Sequence, residues 1–198
     1  MRNSKFFLFG MIIVLGILFL ACQNENPIST TENESLLKSK PEIWTCEFEL
    51  SPEEEEGLIH MRLEEKVARD VYLYFDNLHN KKIFSTIGTS EQGHMDAIKV
   101  LLIKYSVEDP VTDDTPGVFP PGSVFQNLYD GFILQGQTLN EAYLVGKDIE
   151  ELDIADLEYQ LNFVVSGNPD ITNVYTNLKT ASQNHLDAFN NHVSNDIF

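Results

Sequence analysis

Cysteine is nearly absent from this chain, with two in 198 residues, Cys22 and Cys46. No Cys-x-x-Cys pair exists, which excludes a rubredoxin-type electron-transfer module. Basic residues are also scarce. Thirteen Lys and Arg stand against 31 Asp and Glu, for a formal net charge of -18. The phosphates of nucleic acid would be repelled by that surplus, and so would an anionic membrane surface. Acidity of this kind serves solubility first. The apolar run at the N-terminus, Phe6 to Ala21, is short: its 16 residues fall below the ~20 that a transmembrane helix needs.

Arg2 and Lys5 precede that run, which is the layout of a secretory signal. Its end, Leu18-Phe19-Leu20-Ala21-Cys22, resembles the lipobox of bacterial lipoproteins, with Phe19 where Leu is usual. The resemblance implies a diacylated Cys22 as the new N-terminus, and a protein lipid-anchored to a membrane of the bacterial cell envelope. An ordinary cleaved signal or an uncleaved anchor are the alternatives. Lipidation would leave Cys46 with no intrachain disulfide partner; it is then a buried thiol, an intermolecular bridge or an oxidisable residue. Residues 1–22 are thus read as signal peptide and 23–50 as a polar tether with the approach to the domain, where Trp44 and Phe48 are candidate caps. The folded domain is expected over 51–198.

Within the domain, helix signals follow one another. Ser51, Pro52 and Glu54 announce a first helix with a capping box. Its buried stripe reads Leu58, Met61, Glu65, Ala68, Tyr72 and Phe75 in steps of three and four. Glu65 is the only charge on that line, and Glu64, Lys66 and Asp70 are expected to be solvated. After a polar turn over Asn77 to Lys82, a second helix, Ser85 to Tyr105, carries Ile87, Glu91, His94, Ile98, Leu101 and Tyr105. A carboxylate and an imidazole one turn apart can point at one ion, the Glu-x-x-His pattern of bundle-core metal sites. A stretch rich in Pro, Gly and Asp follows, with a short helix over Ser123 to Leu134 for which Ser123 and Gln126 form a candidate capping box. The whole segment reads as a crossover between bundle ends. A third helix begins at Thr138 with Glu141 as its box partner, and shows two partly buried lines, one of them with Glu150 and Asp153. Asn168-Pro169 starts the last helix, whose stripe is broken by His185; His192 is expected to be frayed. Two helix pairs joined by a long connection predict an all-α, ferritin-like four-helix bundle with a crossover containing a short extra helix.

Met61-Arg62-Leu63-Glu64-Glu65-Lys66-Val67-Ala68-Arg69-Asp70-Val71-Tyr72, Ser90-Glu91-Gln92-Gly93-His94-Met95, Ile149-Glu150-Glu151-Leu152-Asp153-Ile154 and Asn184-His185-Leu186-Asp187-Ala188-Phe189 resemble the prokaryotic ferritin-like family catalogued as domain of unknown function 2202. More distantly the chain is similar to rubrerythrin and ferritin, where a di-iron centre uses one Glu, a Glu-x-x-His, another Glu and a second Glu-x-x-His on successive helices. By that resemblance the metal ligands are Glu65, Glu91, His94, Glu150 and His185. The fourth motif has Ser182 where a Glu falls, so Glu151 or Asp153 would have to supply the missing oxygen, or the site holds one ion or none.

An N/O set of this kind suits iron first, with manganese or zinc as alternatives. Burying several acids without a cation would cost several kcal/mol each or force protonation. The expected protein is therefore a ferritin-like envelope lipoprotein that binds a divalent metal, with oxygen- or peroxide-linked redox activity open to it and Tyr72 or Tyr105 as candidate electron relays. Its expected partner is the membrane through the lipid anchor, with a dimer left open and no nucleic acid. The competing expectation is a non-catalytic structural or protein-binding lipoprotein whose polar bundle core is metal-free.

Overall fold

The computed structural model describes residues 48–195; the expected signal, the expected lipidation at Cys22, and Trp44 and Cys46 lie outside the described residues. The described chain is all-α. Helix α1 spans Pro52–His79, α2 Lys82–Lys104, α3 Val124–Gln135, α4 Leu139–Tyr159 and α5 Pro169–Asn195, and a π-helical turn over Gln160–Val164 prolongs α4. Among the described residues, no helix is long and apolar enough to cross a membrane.

Local chemistry sets the helix starts. The Ser51 hydroxyl accepts from the Glu54 amide while the Glu54 carboxylate accepts from the Ser51 amide, and Thr138 and Glu141 repeat this reciprocal arrangement on α4. Asn168 Oδ1 accepts from the amides of Asp170 and Ile171 at the start of α5. At α3 the expected box is not made. Ser123 caps the Phe125 amide, but Gln126 turns away to the Phe119 amide and the Gly117 carbonyl, holding the loop instead. The turn between α1 and α2 is shorter than the polar composition suggests, only Asn80 and Lys81, with Asn80 in the left-handed region at φ 51°.

So tight a turn makes α1 and α2 antiparallel. The ends of the other helices fix their directions. Ser166 donates to Glu54, and Tyr105 meets Asn168 and Asp170, so the start of α1, the end of α2 and the α4–α5 junction share one end. At the opposite end Phe84 packs on Tyr143 and Phe189. Helices α1 and α5 therefore run one way and α2 and α4 the other, each long helix packing against two antiparallel neighbours.

The crossover from α2 to α4 climbs the outer face of α1 from one end to the other. Asp109 receives both Nε and Nη2 of Arg62; the Thr115 carbonyl receives Lys66; Asp114 receives Arg69; the Gly117 amide donates to Asp70; the Gly136 carbonyl meets His79. With α2, α4, α3 and this loop around it, every residue from Met61 to Tyr72 is buried. The expectation that Glu64, Lys66 and Asp70 are solvated is thus corrected: they are 6%, 1% and 1% exposed. The face of α1 that would meet water in an isolated bundle is roofed by the crossover, whose acids and carbonyls satisfy the bases beneath. Asp70 accepts from Lys66 at 2.5 Å, Arg69 at 2.8 Å and Gly117 at 2.9 Å, which meets the requirement that a buried charge be both paired and hydrogen-bonded.

The core is in two parts. One apolar cluster, around Val71, Tyr72, Phe75, Phe84, Tyr143 and Phe189, fills the end where α1 finishes. The other, around Leu58, Met61, Ile98, Leu102, Leu157 and Tyr175, fills the end where α1 begins. Between them lies a polar layer.

Candidate metal centre

Each long helix interrupts its apolar stripe at this layer. Helix α1 contributes Glu65, α2 Glu91 and His94, α4 Glu150 and Asp153, and α5 Ser182 and His185. All are buried except His185, whose side chain is 13% exposed. Glu91 is the hub. Its Oε2 lies 2.6 Å from His94 Nδ1, and its Oε1 lies 2.9 Å from His185 Nδ1. On the flanks, His94 Nδ1 lies 3.2 Å from Glu65 Oε2 and His185 Nδ1 3.4 Å from Glu150 Oε2. The two imidazoles stack with centroids 5.7 Å apart. Two groups result, Glu65–Glu91–His94 and Glu91–Glu150–His185, each with ligand atoms within 4.8 Å of one another.

These short distances are mostly not hydrogen bonds. Only His94–Glu65 has hydrogen-bond geometry. Glu65 Oε1, Glu91 Oε1, Asp153 Oδ1 and His185 Nδ1 are buried with no hydrogen-bond partner, although His185 Nδ1 and Glu91 Oε1 are close. Donor and acceptor converge without aligning. A buried polar atom left so costs ~1–3 kcal/mol, and four in one layer is a large deficit.

Electrostatics tell the same story. Burial pushes Glu65 well above the usual carboxylate range against the pull of His94. Burial raises Glu150 to about 7, opposed by His185 and reinforced by the charge of Glu91. Asp153 is raised by burial and by the charges of Glu65 and Glu64, with the Ser182 hydroxyl partly compensating. Glu91 is the exception: burial is outweighed by His185 and His94, which hold it at about 2. The imidazoles resist burial through their carboxylates and rise to about 11 for His94 and about 9 for His185. Tyr72 donates to Glu150 Oε1 at 2.5 Å and so orients it.

All five ligands expected from the sequence meet in this layer. Of the two candidate extra oxygens, Asp153 joins it. Glu151 does not: it points outward, 51% exposed at the side chain and paired with Lys147. Ser182 leaves the room, its hydroxyl turned back to the Leu178 carbonyl, and Asp153, three residues beyond Glu150 on the same face of α4, brings the fourth carboxylate from the neighbouring helix. Of the two tyrosines, Tyr72 touches the layer, whereas Tyr105 sits at the end of the bundle with Asn168 and Asp170. His192 is exposed yet stacks on Tyr143 at 4.7 Å. Sequence reasoning missed a third group, His60, Glu64 and Asp156, one turn toward the start of α1; the spacing of His60 and Glu64 at i and i+4 was its visible signal. Asp156 and then Glu64 push His60 up to about 10 against burial.

Fold and site together define an all-α helical-bundle protein with a buried layer of four carboxylates and two imidazoles. Residues 54–196 match the family described as an uncharacterized protein domain (DUF2202), and the chain belongs to that family. It is 49% identical over 151 residues to the uncharacterized protein MJ0754 of Methanocaldococcus jannaschii, covering 74% of this chain and 80% of that one. The crystal structure of that hypothetical protein superposes with a TM-score of 0.71 at 46% identity, over 81% of this chain and 86% of the other.

Proposed function

We propose that the protein is a ferritin-like, lipid-anchored envelope protein whose buried layer binds two divalent ions, iron by preference. The observation that carries this reading is Glu91, placed between two imidazoles at 2.6 and 2.9 Å in a layer that leaves four polar atoms unpartnered. Glu65, Glu91 and His94 would hold one ion, and Glu91, Glu150 and His185 the other, with Asp153 beside them. Charge supports a count of two: four ionised carboxylates and two neutral imidazoles carry four negative charges, which two divalent ions balance. Bound iron would supply one-electron chemistry toward oxygen or peroxide. The chain's own residues set the conditions: the apolar clusters on both sides exclude water, Tyr72 fixes the Glu150 carboxylate, and its phenol is the redox-competent side chain in contact with the layer.

The metal-free reading has one observation in its favour, the aligned His94–Glu65 hydrogen bond. Elemental analysis separates the two. Protein reconstituted with ferrous ion and desalted should retain close to two ions per chain, and Glu91→Ala, His94→Ala protein should retain fewer than half as many. Equal retention would sink the metal reading. The lipid anchor rests on Leu18-Phe19-Leu20-Ala21-Cys22; labelled palmitate should enter the wild type and not Cys22→Ser.

A further inference from the structure

Outside the buried layer, the face between α1 and α4 carries a separate constellation. His60 Nε2 lies 3.3 Å from Asp156 Oδ2 and 3.5 Å from Glu64 Oε2. The imidazole and Asp156 are 41% and 37% exposed at the side chain, so they front on solvent, while the Glu64 side chain is 7% exposed. Both Glu64 oxygens are buried without any hydrogen-bond partner. On the same helix Arg62, Lys66, Arg69 and Asp70 each meet a hydrogen-bonded counter-charge, and a cation would supply one to Glu64.

A cavity of about 340 Å³ opens beside these residues, with Glu53, Glu56, Gly57, Tyr159 and Gln160 on its walls. Two features shape its wall. The backbone widens to a π-helical turn from Gln160, which breaks the α-register just after Asp156; such turns recur at functional sites. Opposite, Gly57 admits the Gln160 side chain against α1, since a Cβ there would lie 2.2 Å from Gln160 Oε1, itself a buried oxygen without a partner. Inward, Glu64 adjoins Glu65 on α1, and Asp153 lies one helical turn from Asp156 on the same side of α4. The acidic positions of the two helices thus step from the cavity side toward the buried layer.

We propose that His60, Glu64 and Asp156 form a second divalent-cation site, an outer loading position that passes ions to the buried centre through Glu64 and Asp153. One imidazole and two carboxylates make an N/O ligand set for a borderline or hard divalent ion, and the exposed side leaves coordination positions to water. Binding at this site stands by itself; the feeding role rests on the two-ion reading of the buried layer.

Cobalt(II) is a suitable probe, counted by equilibrium dialysis with elemental analysis and followed in stopped flow by its visible bands. His60→Ala and Asp156→Asn each alter a partly exposed side chain, and thermal melts verify that both fold. Each should bind one ion fewer than wild type and fill the buried centre at least tenfold more slowly. At equilibrium, without the desalting step that strips a solvent-facing ion, wild type should bind three ions, and Glu91→Ala, His94→Ala protein should keep one that adding His60→Ala removes. If both single variants bind as many ions as wild type, the outer site is overturned and the buried centre stands. If the wild type binds one ion only, lost with His60→Ala, the outer site stands and the buried centre fails. One ion lost with unchanged filling overturns the loading role.

Discussion

Asp153 shows what a buried acid costs when the nearest charges share its sign. Burial and the neighbouring charges of Glu65 and Glu64 raise its proton affinity in the folded chain well above the ordinary value of 3.8. The folded state therefore holds a proton that the unfolded state has released, and stability falls as pH rises from about 4 through the folded value. Asp153→Asn removes that loss. In chelator at pH 7, urea unfolding should find the variant more stable than wild type by at least ~1 kcal/mol, about the worth of a single tenfold change in proton affinity. Below pH 4 the two should converge. Added ferrous or manganous ion should stabilise the wild type more than the variant, reversing their order. A purely structural Asp153 would show the reverse at pH 7 in chelator, because its replacement would break a favourable contact.

At the scale of the elements, the crossover is held to α1 by charge rather than by apolar burial alone, and Asp70 is the knot. Asp70→Asn would leave Lys66 and Arg69 buried with half their partner, which costs ~3–5 kcal/mol for a broken interior ion pair. The urea midpoint should drop accordingly, and limited proteolysis should cut between residues 106 and 123 at protease levels that spare the wild type. An unchanged midpoint would show that the roof is held elsewhere. This same roof marks where the sequence could and could not be read. The stripes of α1 and α2 were legible, with Glu65, Glu91 and His94 as their polar breaks, because period and capping are local properties. Burial of Glu64, Lys66 and Asp70 was not, since it depends on a loop 47 to 49 residues away in sequence covering a face that helical periodicity assigns to water. The choice of Asp153 over Glu151 was open for a related reason: both α4 lines were partly apolar, and only the packing against α5 at Ser182 decides which one faces the layer. The π-helical turn left no pattern at all in a stretch that continues α4 without Gly or Pro.

Across the whole molecule, the proposed ions and protons would compete for the same atoms. In the metal-free protein His94 and His185 keep their protons to about pH 11 and 9, while Glu91 is already bare above about 2. Ligation by both imidazoles requires both to deprotonate. Calorimetric titration with manganous ion at pH 7.5 should accordingly release at least two protons, read as heats that differ between Tris and phosphate by twice or more the difference of their ionisation enthalpies, and the apparent affinity should rise with pH. At free ion a hundredfold above the dissociation constant, linkage adds ~2.7 kcal/mol, about 5–10 °C in Tm for a domain of this size, and chelator should reverse it. Buffer-independent heats would contradict ligation through the imidazoles. The distribution of the layer over the helices has a further consequence, one of time. Glu65, Glu91 and His94 all belong to the first antiparallel pair, α1 and α2, whereas Glu150, Asp153 and His185 belong to the second. A ribosome adding ~5–20 residues per second reaches His185 about 90 residues after His94, some ~5–20 s later. For that interval the nascent chain holds Glu65, Glu91 and His94 without His185, so on the two-ion reading the order of translation would complete the first ligand group before the second.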